Sequence, residues 1–195
     1  ATCVIGGEPG KSGVRLDVAG EHLRVARVDA SAAELPPSTA KITYTSGTTG
    51  KPKGVCLSQS GLEDVSLSLV EAIGADYAGT HFAVLPLAVL LENIAGLYTT
   101  LLAGGRYHVL HQASIGFGKS FVPDFAMLVA SLAQSRATSI IIVPEILRGI
   151  LRELAMRRDA LPDMKLVAVG GARVSRALLD AAEAIVELSA EETRP

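Results

Sequence analysis

Eleven consecutive residues carry most of the chemistry in this chain: Tyr44-Thr45-Ser46-Gly47-Thr48-Thr49-Gly50-Lys51-Pro52-Lys53-Gly54. Thr45, Ser46, Thr48 and Thr49 bring four hydroxyl donors within five residues. Gly47, Gly50 and Gly54 let the backbone turn tightly and present its amides to an anion, as in a backbone nest. Lys51 and Lys53 add positive charge, and Pro52 stiffens the exit from the loop. The run is not a Walker A loop, because Thr45 stands where the first glycine belongs and Pro52 follows the lysine. A loop of this composition between two strands can wrap a pyrophosphate from several sides. A second segment, Gly6-Gly7-Glu8-Pro9-Gly10-Lys11-Ser12, ends like a Walker A loop but has Ile5 where its first glycine should stand. No helix start follows Lys11 to aim amides and dipole at a phosphate, so it reads as a polar turn.

Other reactive groups group poorly. His108 and His111 are three apart beside a strand, facing opposite sides with no acidic or cysteine partner near them in sequence, and read as surface or partly buried residues. His81 precedes a buried run and reads as structural. Glu191-Glu192 reads as a solvated end. No Gly-x-Ser-x-Gly occurs, so no serine nucleophile is indicated, and no metal site is indicated either.

The elements that must hold the loop follow from hydrophobic periodicity. Residues 14–18 and 22–28 read as strands joined near Gly20, and 29–39 as a polar connector. Lys41–Thr45 and Gly54–Ser58 read as the strands flanking the loop. A helix is expected over Gly61–Ile73, with Leu62, Val65, Leu69 and Ile73 on one face and a capping box from Ser60 and Glu63. Thr80–Leu85 reads as a buried strand. The next helix places Leu90, Leu91, Ile94, Leu97, Tyr98, Leu101 and Leu102 on an amphipathic face and stops at Gly104-Gly105. Arg106–Leu110 reads as a strand, 112–119 as a loop, and the helix after it as one buried through Phe121, Phe125, Leu128, Val129 and Leu132. Ser139–Val143 and Lys165–Val169 read as strands buried on both faces, separated by a helix after Pro144 and followed by one near Ser175–Leu188. Alternating strands and helices predict an α/β fold: a mainly parallel sheet with flanking helices, preceded by N-terminal antiparallel strands. The division expected is 1–40, N-terminal strands and connector, and 41–195, an incomplete α/β subdomain.

Composition limits the partners. Of 195 residues 49% are apolar and 19% charged, which excludes a disordered tail. A net charge of −2 leaves no basic stripe for nucleic acid. The apolar stretch Phe82–Gly105 is interrupted by Pro86, Glu92 and Asn93. A carboxylate at bilayer depth costs about 2.5–3.5 kcal/mol, so a membrane span is not expected. Cys3 and Cys56 read as two thiols in a reducing compartment, the cytoplasm. The chain starts Ala1-Thr2-Cys3, without Met, and closes on Glu191–Pro195. Both ends read as cuts through a longer protein.

The Tyr44–Gly54 run resembles the signature of the adenylate-forming ligase superfamily of AMP-forming acyl-CoA synthetases, adenylation domains and luciferases, written Tyr-Thr-Ser-Gly-Thr-Thr-Gly-x-Pro-Lys-Gly. Every fixed position matches. Further segments agree in order. Val55–Gln59 is similar to the strand and helix start after the loop. Leu85-Pro86-Leu87-Ala88 with Glu92-Asn93 resembles the Leu-Pro-Leu-Ala-His-x-x-Glu segment of the long-chain acyl-CoA synthetase branch. Ile142-Val143-Pro144 is similar to a wall of the acyl pocket, and Gly170-Gly171-Ala172 to the segment against the adenine. The sequence departs from the pattern at Val89, which replaces a common active-site His, and at Arg173 and Val174, which replace Pro and Leu.

The resemblance implies an ATP-dependent ligase that forms an acyl-adenylate from a carboxylic acid, most naturally a fatty acid, and transfers the acyl group to coenzyme A. It assigns Thr45, Ser46, Gly47, Thr48, Thr49, Gly50 and Lys53 to the phosphates, with Thr49 and Lys53 as catalytic candidates. It assigns Gly170, Gly171 and Ala172 to the nucleotide floor, and Val89, Val143 and Pro144 to the acid pocket. It implies Mg²⁺ with ligands largely outside this chain. The isolated chain is expected to be inactive. The alternative is a non-catalytic module that keeps the fold and binds nucleotide weakly.

Overall fold

Strand pairing begins at the first residues. The computed structural model describes residues 2–6, 14–18, 21–28, 34–45, 53–74, 79–118, 122–157 and 161–183. Contacts divide the chain into Ala1–Thr39 and Ala40–Pro195. In the first unit β1 (Thr2–Gly6), β2 (Val14–Val18) and β3 (Glu21–Val28) form an antiparallel sheet with β3 central. Thr2 pairs with Val28 and Val14 with Val25. β2 and β3 lie where alternation placed them, whereas β1 had no clear signal of its own.

In the second unit β4 (Thr39–Thr45) and β5 (Lys53–Ser58) form a two-stranded sheet. Gly54 sits close to the neighbouring strand: a Cβ would come 3.0 Å from Ile42 Cγ2 and 3.5 Å from the Tyr44 ring. β5 runs directly into α1 (Gln59–Ile73). The cap is Ser58, two residues before the expected Ser60; its hydroxyl accepts from the Gly61 amide at 3.1 Å, satisfying one of the free first-turn donors. Gln59 donates to Glu63, closing the first turn. Ser66 is the buried residue of α1, and Val65, expected inward, is exposed. Ser66 tolerates burial because its hydroxyl donates to the Leu62 carbonyl.

A four-stranded parallel sheet follows in the order β7 (Arg106–His108), β6 (Thr80–Phe82), β8 (Ser139–Ile142), β9 (Leu166–Val169). This is the mainly parallel α/β architecture the periodicity predicted. Phe82 pairs with both His108 and Ile140, and Ile142 with Val169. The all-buried pattern of β8 matches its three consecutive isoleucines, Ile140–Ile142. β9, expected to be covered on both faces, has Val167 exposed. Among the described residues it is one of the two edge strands of the sheet.

α2 (Thr99–Leu102) continues a π-helical segment, Glu92–Tyr98. The Thr99 amide bonds the Ile94 carbonyl, five residues back, and Gly104 ends the helix at φ 78° while the Gly105 amide caps Thr100. Here the sequence reading is corrected. Glu92, Asn93, Gly96, Thr99 and Thr100 are buried, while Leu101 and Leu102 are about half exposed, at 54% and 53%. The inward stripe is polar and small because it meets polar partners, described below. α3 (Phe125–Gln134), capped by Asp124, packs on α4 (Pro144–Arg157). Gly149 admits the Phe125 ring where a Cβ would collide with it. A further helix occupies 176–183. Leu128, Ile140, Ile142, Ile146 and Phe82 anchor one apolar core.

Candidate active site

Parallel sheets place ligands at the carboxyl ends of their strands, and three of the expected segments meet there. β9 ends into Gly170-Gly171-Ala172 and β8 into Val143-Pro144. The Gly170 amide donates to the Ile142 carbonyl at 3.0 Å, which joins the two exits. Gly171 takes φ 80°, which selects glycine, and a Cβ there would lie 3.3 Å from Val143 Cγ1. A Cβ on Gly170 would lie 2.8 Å from Leu91 Cδ2. Leu91 therefore rests on the glycine turn, with Val89 two residues before it. Val89 is exposed, and its amide closes a turn on the Pro86 carbonyl at 2.8 Å. Ala172 is exposed, Pro144 is buried and Val143 is half-buried.

The strands of the phosphate-type loop bracket it: Thr45 is the last residue of β4 and Lys53, exposed, the first of β5. Ser46, Gly47, Thr48, Thr49, Gly50, Lys51 and Pro52 lie outside the described residues, as does most of Gly6–Ser12. The bracketing strands belong to the same unit as the glycine turn.

Behind Leu91 lies a cavity of about 190 Å³ between α1, the π-helical segment, α2 and the sheet. Leu69, Leu91, Ala95 and Ala168 give it apolar walls, and Ser139 and Thr99 reach its surface.

The sheet face of the π-helical segment holds a polar network that motif searching missed. Glu92, wholly buried, accepts through Oε1 from Tyr107 Oη at 3.0 Å and pairs with His81 Nε2 at 3.0 Å. His81 Nδ1 meets Ser139 Oγ at 2.9 Å, and the imidazole stacks on the Tyr107 ring. Gly96 makes room for it: a Cβ there would fall 2.5 Å from Glu92 Oε1 and 2.8 Å from His81 Nε2. Burial, and then the neighbouring Glu92 charge and hydrogen bond, push the Tyr107 phenol well above its ordinary pKa. A Ser–His–Glu chain resembles a nucleophilic triad, but Ser139 is buried within β8, which has neighbouring strands on both sides. The network is therefore a brace between helix and sheet, in keeping with the structural reading of His81. Its sequence signal was the interruption of an apolar stretch by Glu92 and Asn93.

His108 and His111 do not converge. His108 packs on Phe82, and His111 Nδ1 accepts from the Ala113 amide. Among the described residues no three His, Cys, Asp or Glu side chains gather at one point.

Comparison with known proteins places this geometry. Tyrocidine synthase 2 of Brevibacillus parabrevis is 27% identical over 151 residues, 76% of this chain and 4% of that protein. Among solved structures, the amide bond synthetase McbA of Marinactinospora thermotolerans superposes with a TM-score of 0.62 at 25% identity, over 81% of this chain and 29% of that one. A long-chain-fatty-acid-CoA ligase of Archaeoglobus fulgidus gives a TM-score of 0.58 at 27% identity, over 77% and 28%. The chain thus spans a small part of the length of the relatives it matches. The sequence pattern of AMP-binding enzymes matches residues 7–191, with the Tyr44–Gly54 run and the glycine turn inside it, and the chain belongs to that family.

Proposed function

We propose that the protein carrying this chain is an acid–thiol ligase that activates an apolar carboxylic acid, a fatty acid, with ATP and passes the acyl group to coenzyme A in the cytoplasm. The observation that carries the reading is the meeting of the Gly170–Ala172 turn, Val143–Pro144 and Leu91 at one end of the sheet, with an apolar cavity that Leu91 also lines. A 150 Å³ cavity holds a benzene-sized group, so this one suits a segment of about six carbons. The glycine turn has no side chains to obstruct a flat base, and Val143 and Leu91 give the acyl side apolar walls.

Adenylation joins a carboxylate oxygen to the α-phosphorus and breaks the bond to pyrophosphate. Negative charge then grows on the leaving phosphates. In this reading the hydroxyls of Thr45, Ser46, Thr48 and Thr49, the amides of Gly47 and Gly50, and the Lys53 ammonium meet that charge as donors fixed in advance, with Thr49 and Lys53 closest to catalysis. Mg²⁺ supplies further charge neutralisation when it accompanies ATP. The likeness to an amide bond synthetase favours a second reading, in which an amine rather than the coenzyme A thiol receives the acyl group. Acid-dependent exchange of pyrophosphate into ATP, measured over a panel of fatty, aromatic and amino acids, tests the first half-reaction. Product analysis with coenzyme A or an amine tests the second. Exchange with medium-chain or longer fatty acids is expected. Binding of ATP without exchange for any acid would replace this reading with a non-catalytic nucleotide-binding module.

A further inference from the structure

The residue after Glu92 has a separate task. Asn93 is buried, and its Oδ1 accepts from the Nζ of Lys41, in the middle of β4. The same ammonium lies 5.8 Å from the centroid of the Tyr98 ring, about one π-helical turn beyond Asn93, within cation–π range. Two groups of one helical segment thus hold one lysine of the strand that ends at Thr45. The segment is fixed on its other side by Glu92, bound to His81 and Tyr107 of the parallel sheet. Its N-terminal end carries Leu91, resting on the Gly170 turn. β5 reaches the same body by another route, running straight into α1, which packs on the π-helical segment.

We propose that Lys41 is a positioning residue. With Asn93 and Tyr98 it forms a strut that sets strand β4, and the donors that follow Thr45, against the helix and glycine turn of the acyl and nucleotide side. The inference rests on the function proposed above, because a strut matters only if the two sides act on one substrate. Lys41 touches no reacting group in this scheme. Its effect is geometric: near-attack alignment is lost by about 1 Å of displacement, at a cost of about 10²-fold in rate. A methionine at 41 keeps the length and apolar body of the stem and removes the ammonium. A leucine at 93 keeps the volume and removes the acceptor.

The test uses the full protein that contains this chain. Lys41→Met and Asn93→Leu should each lower kcat for ATP–pyrophosphate exchange by about 10- to 100-fold, with KM for the acid changed less than threefold. The double variant should be no worse than Lys41→Met alone, since that change already removes the contacts to both Asn93 and Tyr98. Asn93→Asp, which keeps an acceptor for Lys41, should recover most of the rate. Hydrogen–deuterium exchange gives a readout independent of turnover: peptides covering 39–54 should exchange faster in Lys41→Met, while those covering 125–142 stay unchanged. A variant with wild-type kcat, additive losses in the double variant, or unchanged exchange over 39–54 would overturn the strut. If the wild-type protein turned over no acid, the proposed function would fall, and the deuterium measurement would still decide whether Lys41 holds the strand.

Discussion

Gly96→Ala probes the buried brace with the smallest possible side chain. A Cβ at this position would sit 2.5 Å from Glu92 Oε1 and 2.8 Å from His81 Nε2. Both atoms belong to buried side chains already tied to other elements, Glu92 to Tyr107 and His81 to Ser139. Neither can swing into solvent, so the methyl must push the pair apart or the helix off the sheet. Overpacking of this kind costs about 1–3 kcal/mol. Losing one hydrogen bond to the charged carboxylate costs about 1.5–3 kcal/mol more. Replacing a helical glycine by alanine returns about 1 kcal/mol. The net expectation is a destabilisation of about 3 kcal/mol, read from equilibrium urea denaturation. Helix propensity alone predicts the opposite sign, which makes the experiment decisive. A variant as stable as the parent, or more stable, would refute the account of Gly96 as the space-maker for the Glu92–His81 pair.

Tyr107→Phe should remove an alkaline component of stability. The folded-state phenol titrates above its unfolded value, so the fold binds the proton more tightly than the unfolded chain does. That stability is full below pH 10, the phenol's ordinary pKa, and is lost as pH rises beyond it. The parent's unfolding free energy should therefore fall more steeply above pH 10 than that of the variant; parallel curves would contradict the assignment. Thr48→Ala combined with Thr49→Ala should reduce pyrophosphate exchange by about 10²–10³ while leaving the thermal midpoint nearly unchanged, since lost preorganised donors act on the transition state. Undiminished exchange would sink the assignment of that loop. Lys11→Ala should leave ATP affinity within a few-fold of the parent by equilibrium binding, and a collapse in affinity would restore Gly6–Ser12 as a phosphate loop.

Local chemistry was legible in the chain itself. The uninterrupted apolar run of Ile140–Val143 specifies a strand covered on both faces, and four parallel strands alternating with helices follow from periods alone. The Tyr44–Gly54 run and the glycines at 170 and 171 stand out by composition, and the strands flanking the first run and the turn at the second occupy the expected places. Tertiary structure decided what periodicity could not. Hydropathy turns Leu101 and Leu102 inward and Glu92, Asn93 and Thr99 outward, and the molecule does the reverse for part of that face. A carboxylate can be buried only if distant residues supply its partners, and His81 and Tyr107 lie 11 and 15 positions from Glu92 along the chain, with Ser139, which holds His81, 47 positions away. The pairing of Lys41 with Asn93 spans 52 residues and has no local signature at all. Sequence records which groups can donate, accept or pack; the sheet order and the π-helical turn determine which of them meet.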